Sequence, residues 1–165
     1  MRNARFLTVI LALALAAAGC YSFRGGSVPA HLKTVAIPLF DDQSGSGEPR
    51  LREAFTNALL EKFRQDNSLE ISDKTHADSM IEGTIVALKD EPYNLQGESV
   101  TSRRITISVK AAYQDLKLRK KVWEKDLSNW GIYESSGDAA QRQAGIDAAI
   151  VKLTEDILNE TVSGW

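Results

Sequence analysis

TSRRITISVKAAY, residues 101–113, alternates apolar and polar side chains along its length. Ile105, Ile107, Val109, Ala111 and Tyr113 fall on one side of an extended chain. Arg104, Thr106, Ser108, Lys110 and Ala112 fall on the other, because successive β side chains point to opposite faces. One apolar face and one wet face describe a sheet covered on a single side. The fold then depends on what supplies the cover.

Both flanks extend the sheet. DLKLRK, residues 115–120, reads as a turn, and residues 120–130 form a further strand through Val122, Trp123 and Leu127. Upstream, residues 79–88 make a strand with Ile81, Gly83, Ile85 and Ala87 on one face. Pro92 and Gly97 are expected to break the segment between them. A first strand lies within residues 31–40, where Val35, Ile37 and Leu39 alternate. Pro38 cannot donate to a ladder, so this strand lies near an edge or ends there. Residues 69–71 can open a short additional strand.

The cover is helical. In residues 48–66, Leu51, Ala54, Phe55, Ala58, Leu59 and Phe63 recur at helical spacing as one stripe. Arg52, Glu53, Asn57, Glu61, Arg64 and Gln65 take the other side. Asp138 is placed to cap a last helix whose stripe is Ile146, Ala149, Ile150, Leu153 and Ile157. The order is β-α-β-β-β-α. Two helices with one apolar face each, and strands with one apolar face, predict an α+β two-layer sandwich: a four-stranded sheet with both helices on one face.

The N-terminus carries a different signal. Arg2 and Arg5 precede an apolar run over residues 6–18, which is too short to span a bilayer and fits a secretory leader. Ala17, Ala18 and Gly19 then lead to Cys20, the only cysteine in the chain. This run resembles a bacterial lipobox, in which the thiol takes a diacylglycerol, the chain is cut before the cysteine and the new amino group is acylated. Ala17 departs from the leucine the pattern prefers. The competing reading is an ordinary buried cysteine in a hydrophobic helix, and the basic flank and small residues argue against it. The expected organisation is a leader at 1–19, a lipidated tether at 20–30 and one domain at 31–165. The diacylglycerol and N-acyl lipid on Cys20 are the only attached groups expected. Tyr21, in the place where aspartate retains inner-membrane lipoproteins, favours the outer membrane.

The whole chain carries 20 Lys and Arg against 22 Asp and Glu. No basic excess suggests nucleic acid. With Cys20 acylated, no thiol is left for a disulfide, so the fold must rest on its apolar core. His31 and His76 lack companions at metal-ligand spacing. The loop DDQSGSGEP, residues 41–49, lacks the Lys-Ser or Lys-Thr of a phosphate-binding loop. Asp41, Asp42 and Glu91 are loop carboxylates with nothing to set them across a cleft. No enzyme is expected.

The serial pattern resembles the LptE family of lipopolysaccharide-assembly lipoproteins, in its divergent branch. The matching segments are GCYSFRGGSVPAHLKTVAIPLF (19–40), ADSMIEGTIVAL (77–88), RITISVKAAYQDL (104–116), KKVWEKDL (120–127) and the closing ETVSGW (160–165). The resemblance implies an outer-membrane lipoprotein that plugs a large β-barrel of LptD type and helps place lipopolysaccharide in the outer leaflet. It also implies basic lipopolysaccharide contacts at the loop end of the sheet. Arg103 and Arg104 are the candidates, because guanidinium groups clasp phosphates bidentately; Gln96 stands roughly where a loop arginine would be sought. The bland reading of each is a solvated charge. Lys117, Arg119, Lys120 and Lys121 cluster at the opposite end of the hairpin. Trp123 and Trp130 are core packing or barrel anchors, and Trp165 packs on the domain or meets a barrel wall. An alternative function is a lipid-tethered periplasmic activator of a cell-wall synthase. The roughly ten residues between Cys20 and the first strand span about 35 Å at most, which favours a role close to the membrane.

Overall fold

The computed structural model describes residues 28–96 and 99–163. The leader, Cys20, the tether up to residue 27, Gly97 and Trp165 lie outside the described residues. Eight elements follow in order: β1 (Thr34–Ala36), β2 (Asp41–Asp42), α1 (Leu51–Asp66), β3 (Glu70–Ile71), β4 (Ser79–Gln96), β5 (Ser99–Asp115), β6 (Lys120–Glu134) and α2 (Ala139–Ser163). Among them no helix is long and apolar enough to cross a membrane.

The α+β class and the helical layer agree with expectation, but the sheet does not have four strands. It has six and is mixed, in the order β3-β1-β4-β5-β6, with β2 also pairing β4. β1, β2 and β3 are joined by parallel pairings, whereas β4-β5-β6 is an antiparallel meander. The first expected strand is split at Pro38. β1 stops at Ala36, and the chain resumes pairing at Asp41, opposite Thr84. Proline has no N–H to give and restricts the residue before it, so the ladder breaks there. The alternation fails at the same place: Leu39 is half exposed and Phe40 is buried. The Phe40 amide donates to Thr56 Oγ1 at 3.0 Å, tying the crossing to α1.

Pro92 does not limit β4 as expected, whereas β4 ends at Gln96, just before Gly97. β4 runs through Pro92 to Gln96, accommodated by register shifts at Ile85/Ala87 and Pro92/Asn94. A bulge adds one residue and reverses the facing pattern beyond it. Val86 therefore points to solvent, Ala87 pairs with Ser108 on the outer face and Leu88 pairs with Ile107 on the inner one. β5 and β6 likewise extend past the expected ends, to Ser99 and Glu134.

The core lies between the sheet and the helices. Ile105, Ile107, Val109, Ala111 and Tyr113 are all fully buried, as their alternation requires. α1 contributes Leu51, Phe55, Leu59 and Phe63, whose burial is worth on the order of 6–12 kcal/mol as an upper figure. α2 contributes Ile146, Ala149, Ile150, Leu153 and Ile157. Asp138 Oδ1 accepts the Gln141 amide at 3.0 Å, the expected cap. The helices run side by side in one direction: Glu48, just before α1, meets Arg142, and Lys62 meets Glu155. α2 lies close on β6 at Gly131, where an added Cβ would stand 2.0 Å from the Gly145 carbonyl oxygen.

Candidate functional site

Arg103 and Arg104 are adjacent in sequence and face opposite ways. Arg103 pairs with Tyr133 and Pro92 on the helix side of the sheet. Its Nε donates to Asp90 Oδ1 at 2.8 Å and to Tyr133 Oη at 3.1 Å, and Nη2 donates to the Asp90 carbonyl at 3.0 Å. Asp90 Oδ2 also accepts from Tyr133 Oη at 2.8 Å and from Arg142 Nε at 3.1 Å. Arg142 completes the chain through Nη1 to Glu48. Burial alone would raise the Asp90 carboxyl, but the donors Tyr133, Arg103 and Arg142 outweigh it and hold it below the usual carboxylate range. The Asp90 carboxylate raises Arg103 in return. Two arginines and two carboxylates thus balance in charge, and they join β4, β5, β6, α2 and the approach to α1.

Arg104 lies on the open face, paired with Glu91 on β4 and Ile132 on β6. Its guanidinium carbon stands 5.5 Å from the centroid of the Tyr93 ring, and Nη2 is 4.0 Å from Glu91 Oε2. Its Nε is buried and has no hydrogen-bond partner among the described residues. Tyr93 stacks beside Trp130, with centroids 6.2 Å apart and planes at 26°. Lys152 reaches around β6 from α2, sets Nζ 4.0 Å from the Trp130 ring centroid and donates to the Trp130 carbonyl at 2.8 Å. The result is a ridge across three strands: Arg104, Tyr93, Trp130, Lys152. Tyr93, Trp130 and the adjoining Ile132 remain about two-fifths exposed. The ridge offers cations, flat rings and aliphatic surface together, the contacts suited to an anionic amphiphile.

The other sequence candidates separate. Trp123 packs on Tyr113 against the core, at 6.2 Å between centroids, and Trp130 stands on the open face. Lys117, Arg119, Lys120 and Lys121 lie at the far end of the hairpin from Arg103 and Arg104, as expected. Asp41 and Asp42, expected in a loop, form β2 and are exposed. No group of metal-ligating side chains converges among the described residues. Sequence reasoning missed Asp90, Tyr133 and Arg142, which meet across separations of 43 and 52 residues. It also missed Tyr93 and Lys152. The opposite facing of Arg103 was available: the alternation of Ile105 to Tyr113, carried back two residues, puts Arg103 on the inner face.

The sequence matches the family described as LptE, lipopolysaccharide-assembly, over residues 32–161. No curated protein matches the chain. Among solved structures, a Xanthomonas campestris protein is similar over 84% of this chain and 90% of its own, with a TM-score of 0.63 and 13% identity. Lipoprotein B of Nitrosomonas europaea, determined in solution, covers 88% and 92% with a TM-score of 0.57 and 13% identity. PelC of Paraburkholderia phytofirmans, solved as a dodecamer, covers 83% and 94% with a TM-score of 0.57 and 13% identity. At such identity the likeness is one of fold, whereas the family match spans all six strands, α1 and all but the last two residues of α2. The chain therefore belongs to the LptE family of lipopolysaccharide assembly.

Proposed function

We propose that this chain is an outer-membrane lipoprotein, acylated on Cys20, that plugs a large β-barrel of LptD type and guides lipopolysaccharide into the outer leaflet. The open-face ridge carries the reading. Arg104 and Lys152 supply charge for the phosphates of a glycolipid, and Tyr93, Trp130 and Ile132 supply surface for its sugar rings and acyl chains. Arg104 is the contact residue of the arginine pair. Arg103 holds the arm that presents it, since its guanidinium is already engaged by Asp90 and Tyr133. Family membership supports the lipopolysaccharide role, and the leader-like run before Cys20 supports the anchor.

The test is co-purification. The tagged, acylated protein taken from detergent-solubilised outer membranes should bring down one large β-barrel together with lipopolysaccharide. Arg104→Glu should keep the barrel and lose most of the lipopolysaccharide. Capture of no barrel rejects the plug, and full lipopolysaccharide retention in Arg104→Glu rejects the ridge as its contact.

A further inference from the structure

The end of the sheet opposite the ridge carries a second surface. The turn between β5 and β6 and the first two residues of β6 expose five residues in a row, Lys117, Leu118, Arg119, Lys120 and Lys121. Leu118 is 66% exposed, the most exposed of the large apolar side chains in the described core and surface. The turn is built rather than loose. Asp115 Oδ1 accepts the Leu118 amide at 2.8 Å, and Arg119 adopts φ of 52°, a left-handed conformation unusual for a side-chain-bearing residue. Both features push Leu118 and the cations outward.

The charges around it are unevenly used. Lys117 pairs with Asp78, and Lys121 pairs with Glu124. Asp73 is engaged by His76, and Asp115 by His31. Arg119 and Lys120 make no ion pair among the described residues, and neither do Lys33 and Lys74 on the neighbouring β1 start and β3–β4 loop. Among the described residues, carboxylates without a cation at this end include Glu82, which accepts from the Gln114 side-chain amide, and Glu70, whose backbone amide donates to the Lys33 carbonyl; the unpaired cations beside the apex are Arg119 and Lys120. An apolar apex ringed by free cations is complementary to an anionic lipid surface, where the cations meet headgroup phosphates and the leucine enters the interface.

The route of the chain adds an independent argument. The N-terminal segment joins the domain at this same turn. Lys117 Nζ donates to the His31 carbonyl at 2.7 Å, and His31 Nε2 stands 2.6 Å from Asp115 Oδ2. Cys20 precedes His31 by eleven residues, a leash of at most about 40 Å. Arg104 of the ridge stands eleven residues up β5 from Asp115, about 36 Å away, which the leash reaches only at nearly full extension. A lipid on Cys20 therefore holds the turn nearer the bilayer than the ridge for all but a fully extended leash.

We infer that the β5–β6 turn, with Leu118 at its apex and Arg119 and Lys120 beside it, docks on the anionic phospholipid surface in which the Cys20 acyl chains sit. The three acyl chains proposed on Cys20 already anchor the chain stably; each free cation adds roughly fivefold to the partition of the turn onto the surface. The docking also orients the domain, directing the ridge away from the anchoring leaflet. The inference rests on the acylation of Cys20 proposed above.

Acylation leaves no free thiol, so a cysteine introduced at Leu118 is the one site a nitroxide can label. The acylated Leu118→Cys protein is placed in phosphatidylcholine vesicles with or without phosphatidylglycerol. Collision rates are read with oxygen, which enters the bilayer, and with a nickel chelate, which stays in water. In anionic vesicles the label should gain oxygen contact and lose nickel contact, whereas an Asn94→Cys label at the far end should stay open to nickel. Adding Arg119→Glu and Lys120→Glu should return the Leu118 label to water. A label equally open to nickel in both vesicle types, on a protein of acylated mass, overturns the docking and leaves the lipoprotein reading standing. Labelling of the parent protein at Cys20 removes the anchor and overturns both.

Discussion

Replacing Gly131 with alanine sets a methyl group against the backbone of α2. The new Cβ would lie 2.0 Å from the Gly145 carbonyl oxygen, 2.9 Å from its carbon and 3.1 Å from Ala148 Cβ. Favourable carbon contacts begin near 3.5 Å, and the obstacle is helix backbone, which cannot swing aside as a side-chain tip can. α2 must retreat from β6, loosening Ile146 and Ala149 in the core. Overpacking of this kind costs about 1–3 kcal/mol, and the upper half of that range suits a backbone clash. Alanine recovers roughly 0.5–1 kcal/mol by restricting the unfolded chain. The expected net loss is about 2 kcal/mol, or roughly 8 °C in Tm for a domain of this size. Gly145→Ala is the control from the same contact. Its Cβ would meet Tyr133 Cδ1 at 3.3 Å and Ile105 Cδ1 at 3.5 Å, both side-chain atoms with room to adjust. A helix interior gains up to about 1 kcal/mol from the exchange, so Gly145→Ala should be neutral or slightly stabilising. Urea and thermal unfolding followed by circular dichroism measure both. Equal losses in the two variants, or a Gly131→Ala protein as stable as its parent, would refute the close α2–β6 approach.

Arg103→Ala should cost about 1.5–2 kcal/mol by leaving Asp90 short of donors, whereas Arg104→Ala should stay within about 0.5 kcal/mol; urea midpoints that rank the other way would sink the division between support and contact. Asp78 is held down to about 2 by the Lys117 side chain and the Lys33 amide. Its contribution to stability is thus complete above the unfolded value near 4 and lost as the pH falls toward about 2. Asp78→Asn should flatten that part of the acid stability curve, and parallel slopes in the two proteins would count against it. Cys20→Ala should abolish the acyl mass on the mature chain by mass spectrometry and move the protein out of the membrane fraction; an unchanged distribution would remove Cys20 as the anchor.

Local periodicity determined much of this protein before any contact was known. The alternation through Ile105 to Tyr113, the stripes of α1 and α2 and the Asp138 cap depend on neighbours within a few residues, and each is found in the structure. The leader and acylated Cys20 that we propose rest likewise on local order, in residues outside the described ones. What the tertiary structure decided is whatever joins distant residues. The parallel pairing of β1 and β2 with β4 spans more than forty residues, and nothing near Val35 or Asp41 announces Ser79 or Thr84 as partners. The bulge at Val86 changes the phase of β4 only because β5 fixes the register opposite it. Arg103 is drawn into a network by Asp90, Tyr133 and Arg142, and Arg104 joins Tyr93, Trp130 and Lys152 only because three strands and a helix edge bring them level. Alternation can tell which face a side chain takes. The groups it meets there are set by register and packing, which arise only when remote segments close on one another.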